Sequence, residues 1–579
     1  MENKDERNRP NADAEAALFG SRFIPRWLRE KRTLQLILLL LVALIWLPRL
    51  QGPIDLRWDG GVYYILGTSL AEGKGYRLLN EPGEIDAVQY PPVLPAIIAG
   101  FQLVLGTSDP TTVGTWLRIS AFFVFCLFIL TVFRFFTDRV SLFWSFLGTV
   151  LCIFSLHVYF LSDLCYPEIP FALLTLLFIS CLRRESRASY FILAYVLATA
   201  SYGLRTVGLA AFAAWILSSL VKKEFKRAAL KTLLVLIPIF AWQYYIATIE
   251  SSDGYNQPAY AYQRAPYMFY NVTYARNMAL HDPFAPEQGP ARNLQRTFQN
   301  VVKAPANLGE TISTVRGYWL IFFQSLTGSD ESDGFPAWFV FIVLYMIGLA
   351  VLAGLLLQLR GGDWIVPLYL LPYLAAMCFT PFPEQYPRYL MPVTPLLSFC
   401  FISFLIFIKD RFSATDPAKR SNIIRIAFAL VFVSFFSIQF FCLQHVFRND
   451  FETAAYLDRQ NRFVRRRLFF NNDLQIDFDL CVDFIKENAA GQAIVGAGTP
   501  HWVYLRTGLK AVMPPMEKDA NRAQELLDSV PVRYLIIGQD VVKSERYMLP
   551  VVQRFPDRWK QVYSTPSKVF VVYERTDQY

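Results

Sequence analysis

Four ionisable side chains stand where an apolar chain has least reason to keep them. Asp59 lies in "DLRWDGGVYYILG", after a tryptophan and before Gly60 and Gly61, and Glu168 opens an apolar run in "SDLCYPEIPFALL". Arg205 interrupts "SYGLRTVGLAA", and Arg388, followed by Tyr389, sits in "PFPEQYPRYLMPVTPLL". A charge beside a bilayer span is expensive unless it faces a polar cavity, so each is a candidate for chemistry. Two carboxylates and two guanidiniums on one face suit a definite task. A carboxylate takes the proton of an attacking hydroxyl, and arginines meet the charge that grows on a departing phosphate.

Each residue also has a plainer reading, and at this point both stand. Asp59 before a helix is a common N-cap, worth about 1 kcal/mol. It serves as a general base only if its second oxygen stays free, with the glycines behind it letting a substrate approach closely. Arg205 either snorkels to a lipid phosphate as an anchor or binds a substrate phosphate. Glu384 is a ready partner for Arg388, for which a phosphate would compete. Asp163, near the end of the preceding helix, reads as an exposed turn residue.

The elements that must position these groups are membrane helices. Hydrophobic residues make up 54% of the 579 positions and aromatics 16%, outside the usual range of water-soluble domains. No alternating ten-residue pattern suggests a barrel. The net charge of +9 comes in short clusters between apolar runs, as topology signals do, and forms no stripe for nucleic acid. The eight cysteines lie mostly in apolar runs without C-x-x-C spacing, which points to packing. Residues 1–33 are polar and basic and lead into Leu34–Leu50 without a small-x-small site, so the first apolar segment is expected to be an uncleaved anchor.

Eleven crossings are expected, at 34–50, 113–136, 140–161, 169–182, 189–204, 206–221, 231–248, 336–359, 364–380, 389–408 and 422–443. A further apolar stretch, Val93–Leu105, is too short to cross and contains Pro95. Charge supports leaving it at the interface. Only then do the basic clusters at Arg134/Arg139, Arg183/Arg184/Arg187, Lys222/Lys223, Arg360 and Lys409/Arg411 share the N-terminal, cytoplasmic side. The other face then holds residues 51–112, the turn 162–168, Arg205, a large loop 249–335, the turn 381–388 and everything after 444. Val62–Leu70, with apolar residues at helical spacing, is expected to lie flat in the headgroup region, as a second interfacial helix.

From 444 to 579 the apolar runs shorten. "QAIVGAG", "KAVMP", "RYLIIGQ" and "KVFVVYE" read as strands, with helices near 478–488, 518–529 and 545–553 between them, so a small external α/β domain is expected. Its "GAGTP", 496–500, resembles a phosphate loop only weakly and reads better as a strand-to-helix turn capped by Thr499.

The segments "WDGGVYYILGTSLAEGKGY", "QYPPVLPAIIAGFQLVLG", "CYPEIPFALL", "LRTVGLAA" and "PRYLMPVTPLL", in that order, resemble the C-type (GT-C) membrane glycosyltransferases over roughly residues 34–410. Within these, the likeness is to protein O-mannosyltransferases, lipid A aminoarabinose transferases and RgtA/B/C/D-like enzymes. The resemblance implies transfer of a hexose or pentose from a polyprenyl-phosphate donor to a lipid, glycan or protein acceptor. Transfer would take place with inversion, on the outer face of a bacterial inner or plasma membrane. By the same resemblance, Asp59 and Glu168 are the catalytic acids, and Arg205 and Arg388 bind the donor phosphate. Tyr63, Tyr90 and Tyr389 line the substrate cavity. Gln89-Tyr90 stands where some relatives carry a charge before the proline pair, so recognition of the donor headgroup is expected to differ. No definite cofactor is implied, and a divalent cation is left open, since Glu168 is suited to orienting the acceptor, helping the base or holding such an ion; with only His281 and His501 on that face, a histidine-rich zinc site is not expected. Two other classes compete. A lipid or solute transporter would show internal repeats and mid-depth polar groups, which are not evident here, and a non-catalytic sugar-lipid binding protein would use Asp59 only as a cap.

Overall fold

The computed structural model describes residues 30–257, 290–327, 337–361, 363–380, 382–413, 419–469, 472–540 and 544–577. The N-terminal tail before residue 30 and much of the loop 249–335, with His281, lie outside the described residues.

The membrane part is built from helices α1 (Lys31–Trp46), α2 (Asp59–Ala71), α3 (Val93–Leu105), α4 (Pro110–Thr137), α5 (Leu142–Phe154), α6 (Leu156–Leu161), α7 (Glu168–Leu182), α8 (Ala188–Leu204), α9 (Leu209–Val221) and α10 (Phe225–Glu250). It continues through α11 (Pro290–Ile312), α12 (Arg316–Thr327), α13 (Ala337–Gly361), α14 (Ile365–Cys378), α15 (Tyr386–Leu390), α16 (Thr394–Ser413) and α17 (Lys419–His445). Six helical stretches among the described residues are long and apolar enough to cross a bilayer, and six shorter apolar helices accompany them. The chain is thus an integral, multi-pass membrane protein. All eleven expected crossings coincide with helical segments. The segment expected at 140–161 is broken: Ser155, with φ −61° and ψ 119°, leaves the helical region between α5 and α6.

One expectation is corrected. Helix α2 leaves no face open to headgroups along its middle, since every residue from Gly60 to Ser69 is buried. The face opposite Val62, Ile65 and Leu66 is covered too: Gln102 of α3 donates to Thr68 at 2.9 Å, and Tyr64 donates to the Ser108 carbonyl at 2.9 Å. The loop 249–335, in turn, contributes α11 and α12 to the helical body. Here glycines allow backbone contact, because a Cβ on Gly309 would come within 2.0 Å of the Leu344 carbonyl oxygen and one on Gly348 within 1.7 Å of that of Pro305.

Beyond α17 the chain forms a hairpin, β1 (Phe451–Leu457) with β2 (Phe463–Phe469), and then a five-stranded sheet. The sheet comprises β3 (Ile494–Gly496), β4 (Ala511–Val512), β5 (Val532–Gly538), β6 (Trp559–Ser564) and β7 (Phe570–Arg575) in the order β4-β3-β5-β7-β6. The β4-β3-β5 half is parallel and the rest antiparallel. Helices α18 (Asp473–Asn488), α19 (Pro500–Thr507), α20 (Ala520–Ser529) and α21 (Ser544–Arg554) connect and cover the strands. "GAGTP" is the expected strand-to-helix turn, but Thr499, at the N-cap position of α19, makes no side-chain capping bond.

This α/β unit is bonded to the membrane part along a seam. The Ala511 amide of edge strand β4 donates to the Asn80 carbonyl at 2.8 Å, and Lys510 donates to the Leu79 carbonyl at 2.6 Å. On the hairpin side, the Arg467 amide donates to the Gln51 carbonyl at 3.1 Å. The segments flanking Asp59 are therefore held from both directions.

Candidate active site

The four candidates come from four separate elements. Asp59 is the first residue of α2, and Glu168 is the first residue of α7. Arg205 is the extended residue that ends α8, and Arg388 belongs to the short helix α15. Asp59 is not an N-cap: Trp58 holds that position and no side chain caps the helix.

The structure brings all four together at one end of the helical body. Arg388 is the centre: its Nη2 donates to Asp59 Oδ2 at 2.8 Å, its Nε to Glu168 Oε1 at 3.1 Å and its Nη1 to Gln385 Oε1 at 3.2 Å. Arg205 Nη1 reaches the same Glu168 Oε1 at 2.5 Å. One oxygen of Glu168 thus grips both guanidiniums. Its other oxygen, Oε2, is buried and has no hydrogen-bond partner among the described residues. The two acids differ in access, with the Glu168 side chain fully buried and that of Asp59 36% exposed. Formal charge balances, two against two, so an entering phosphate redistributes existing ion pairs without meeting a bare excess of cations.

Aromatic rings wall the cluster. Arg388 stacks over Tyr166 at 4.4 Å, and Arg205 over Tyr389 at 5.2 Å. The Tyr389 hydroxyl donates to Gln385 Oε1 at 3.0 Å, which ties it to the partner of Arg388. Tyr63 and Tyr90 meet edge to face with centroids 4.8 Å apart. Burial, reinforced by the Asp59 charge, holds the phenols of Tyr63, Tyr90 and Tyr166 above their ordinary value, so all three remain protonated donors at neutral pH. The Glu384 side chain, expected as the plain partner of Arg388, lies outside the described side chains.

Several supporting residues were not expected. Asp163 is buried, not an exposed turn residue. Its Oδ1 accepts from Arg118 Nε at 2.8 Å, and its Oδ2 from Arg118 Nη2 at 2.6 Å and Arg49 Nε at 3.3 Å. Arg118 also donates to the carbonyls of Gln51 and Arg467, so this fork clamps α4, the end of α1 and the hairpin together. The glycines after Asp59 serve protein packing. A Cβ on Gly60 would stand 3.0 Å from the Cys165 Cβ, and one on Gly61 would stand 2.5 Å from both the His501 ring and the Leu56 carbonyl oxygen. His501, from the α/β unit, also hydrogen-bonds the Arg57 carbonyl at 2.9 Å.

For a divalent cation, the donor set is thin. Among the described residues no three His, Cys, Asp or Glu side chains gather, and Asp59 and Glu168 each already carry a guanidinium. The chemistry below is therefore derived from the arginines.

No family model matches the sequence, and no curated protein matches it. Solved structures do match the fold. ArnT from Cupriavidus metallidurans in the apo state is 9% identical and superposes with a TM-score of 0.51 over 93% of this chain and 97% of that one. The apo oligosaccharyltransferase of Archaeoglobus fulgidus is 11% identical, with a TM-score of 0.50 over 94% and 74%. The chain shares the fold of these two structures.

Proposed function

We propose that this protein transfers a sugar from a polyprenyl-phosphate donor to an acceptor hydroxyl on the external face of the membrane, with inversion at the anomeric carbon and Asp59 as general base. The observation that supports it is the convergence of Asp59, Glu168, Arg205 and Arg388 at one end of the helical body. The fold shared with ArnT and the oligosaccharyltransferase adds to it.

In this reading the acceptor O–H gives its proton to the Asp59 carboxylate as its oxygen attacks the anomeric carbon. The bond from that carbon to the phosphate oxygen breaks, and polyprenyl monophosphate leaves with one more negative charge. Arg388 and Arg205 are placed to take up that charge. Attack opposite the leaving group inverts the centre. Asp59 is the base because it is the carboxylate an acceptor can reach, whereas Glu168, fully buried, positions the two arginines. Arg388 rests on Asp59 at 2.8 Å, so a donor phosphate competing for that guanidinium frees the base for the acceptor. Tyr63 and Tyr90 supply hydroxyl donors around the sugar, and Tyr389, its hydroxyl held by Gln385, lines the cavity. The N-terminus is placed in the cytoplasm, the α/β unit outside, and the membrane is the bacterial inner or plasma membrane. The acceptor is a lipid, glycan or protein.

The test is transfer of label from a panel of polyprenyl-phosphate sugars by the purified full-length protein in nanodiscs. Asp59→Asn is expected to insert and unfold like the parent while losing about 10²-fold to 10⁴-fold in rate. An Asp59→Asn protein with parental activity overturns the assignment of the base.

A further inference from the structure

The α/β unit carries a cavity that the reaction above does not use. It measures about 220 Å³, enough for one pyranose ring, and lies between α18, the two loops that follow β3 and β5, and the Arg57-Trp58 segment just ahead of Asp59.

Its place in the sheet is informative. In the order β4-β3-β5-β7-β6, the chain leaves β3 through α19 toward β4 on one side, and leaves β5 through α21 toward β6 and β7 on the other. The carboxyl ends of the parallel neighbours β3 and β5 therefore diverge, and this switch point is where open α/β sheets offer a crevice to ligands. Thr499 follows β3, Gln539 and Asp540 follow β5, and all three line the cavity.

The lining selects the chemistry. The half-buried ring of Trp58 stands over a buried aromatic floor of Phe478, Trp502 and Phe570, in which Phe478 and Phe570 meet edge to face at 5.8 Å. Around them stand the carboxylates of Asp479 and Asp540 and the amides of Gln475 and Gln539; Asp479 Oδ1 and Gln475 Oε1 already meet Arg506 and Arg57, which leaves their other polar atoms and the Gln539 amide for hydroxyls. Trp502 is fixed by its Nε1 donating to Asp479 Oδ1 at 2.7 Å. An anion is disfavoured here. Two carboxylates line the space, and the cations beside it are engaged, Arg57 by Asp55 at 2.7 Å and Gln475 at 3.1 Å, and Arg506 by Asp479 at 3.2 Å. Rings with hydroxyl-binding groups and no spare positive charge suit an uncharged sugar, not a phosphate.

We propose that this switch-point cavity binds one sugar ring of the acceptor, so that the acceptor is a glycan whose neighbouring residue is held against Trp58 while its hydroxyl is offered at Asp59. The word acceptor rests on the transferase reading, whereas the sugar site itself does not.

The test uses full-length protein in nanodiscs and saturation-transfer NMR with the methyl glycosides of glucose, mannose, galactose and N-acetylglucosamine. Gln539 is exposed, so Gln539→Trp fills the cavity mouth without disturbing the core. Thr499→Val is the milder second variant. Transfer of saturation to at least one glycoside is expected, weakened about tenfold or more by Gln539→Trp, with the thermal shift on adding undecaprenyl phosphate unchanged. In turnover the same variant raises the acceptor KM and leaves kcat intact. Absence of saturation transfer to all four glycosides, or transfer undiminished in both variants, overturns the sugar site even where undecaprenyl phosphate still binds. Glycoside binding that Gln539→Trp abolishes, in a protein indifferent to undecaprenyl phosphate, keeps the site and overturns the donor reading instead.

Discussion

Arg388→Lys is the sharpest probe of the proposed chemistry, because it keeps the charge and removes the geometry. The guanidinium spans Asp59 at 2.8 Å, Glu168 at 3.1 Å and Gln385 at 3.2 Å with three different nitrogens. An ammonium is a single point and cannot bridge both carboxylates in one plane. The Coulomb attraction largely survives, since Arg205 still neutralises Glu168 and the lysine still faces one acid. What is lost is one charge-assisted hydrogen bond and the orientation of the edge offered to phosphate, about 1.5–3 kcal/mol. The side chain is 22% exposed, so the lower half of that range applies. At 1.36 kcal/mol per decade, Arg388→Lys is expected to lose about 10-fold to 50-fold in kcat/KM, and Arg388→Gln, which also loses the charge, about 10²-fold to 10³-fold. Single-turnover transfer at saturating donor separates this loss from donor affinity, and thermal unfolding monitors the fold. In combination with Asp59→Asn the losses should not add, since the two side chains act on one event. Arg388→Gln with kcat/KM within about threefold of the parent, in a normally folded protein, refutes the assignment of charge stabilisation to this cluster.

Two further outcomes follow from the seam. Gly61→Ala places a methyl 2.5 Å from the Leu56 backbone oxygen, which cannot swing away, and from the His501 ring. It should cost about 1–3 kcal/mol in thermal unfolding and reduce transfer by tilting the start of α2, whereas Gly100→Ala, with open space around it, should be silent. Burial alone would raise the carboxyl of Asp55, but the Arg57 and Arg466 charges win and hold it at about 2, below its ordinary 3.8. The unfolded chain therefore takes up this proton first as pH falls, so ~2 kcal/mol present at neutral pH should drain away between about pH 4 and pH 2. Acid titration of unfolding, with Asp55→Asn flattening that window, checks it.

The membrane part was legible in the sequence because charge is scarce in it. An acid or arginine at the mouth of an apolar run has few inexpensive explanations, and Asp59, Glu168, Arg205 and Arg388 stood out on that ground alone. Their pairing did not, since it joins residues 220 and 329 positions apart. Asp163 was misread for the same reason: its arginine partners lie 45 and 114 residues upstream. Val62, Ile65 and Leu66 share one face of helix α2, yet the face opposite is covered as well, by Gln102 of α3 among others, which no local pattern announces. The β1-β2 hairpin was missed through an inverted signal. Val464, Arg466 and Leu468 alternate inward along β2, and the middle position is an arginine, stacked on Trp502 at 4.6 Å and Tyr456 at 5.0 Å. A buried cation satisfied by rings reads, in one dimension, as a solvent-facing residue. Four of the five strands of the sheet, β3, β4, β5 and β7, were recovered because short apolar runs rich in β-branched residues carry their own signature.

The seam has a bearing on how such proteins can be rebuilt. Trp58 closes the far unit's crevice, Gly61 accommodates its histidine, and Asn80 extends its outermost strand. A chimaera that exchanges everything after residue 450 for a foreign ending would therefore inherit a mismatched partner at the very peptide that presents Asp59. Swaps that carry residues 49–80 along with the ending keep that joint intact, so the modular unit for exchange is discontinuous in the chain.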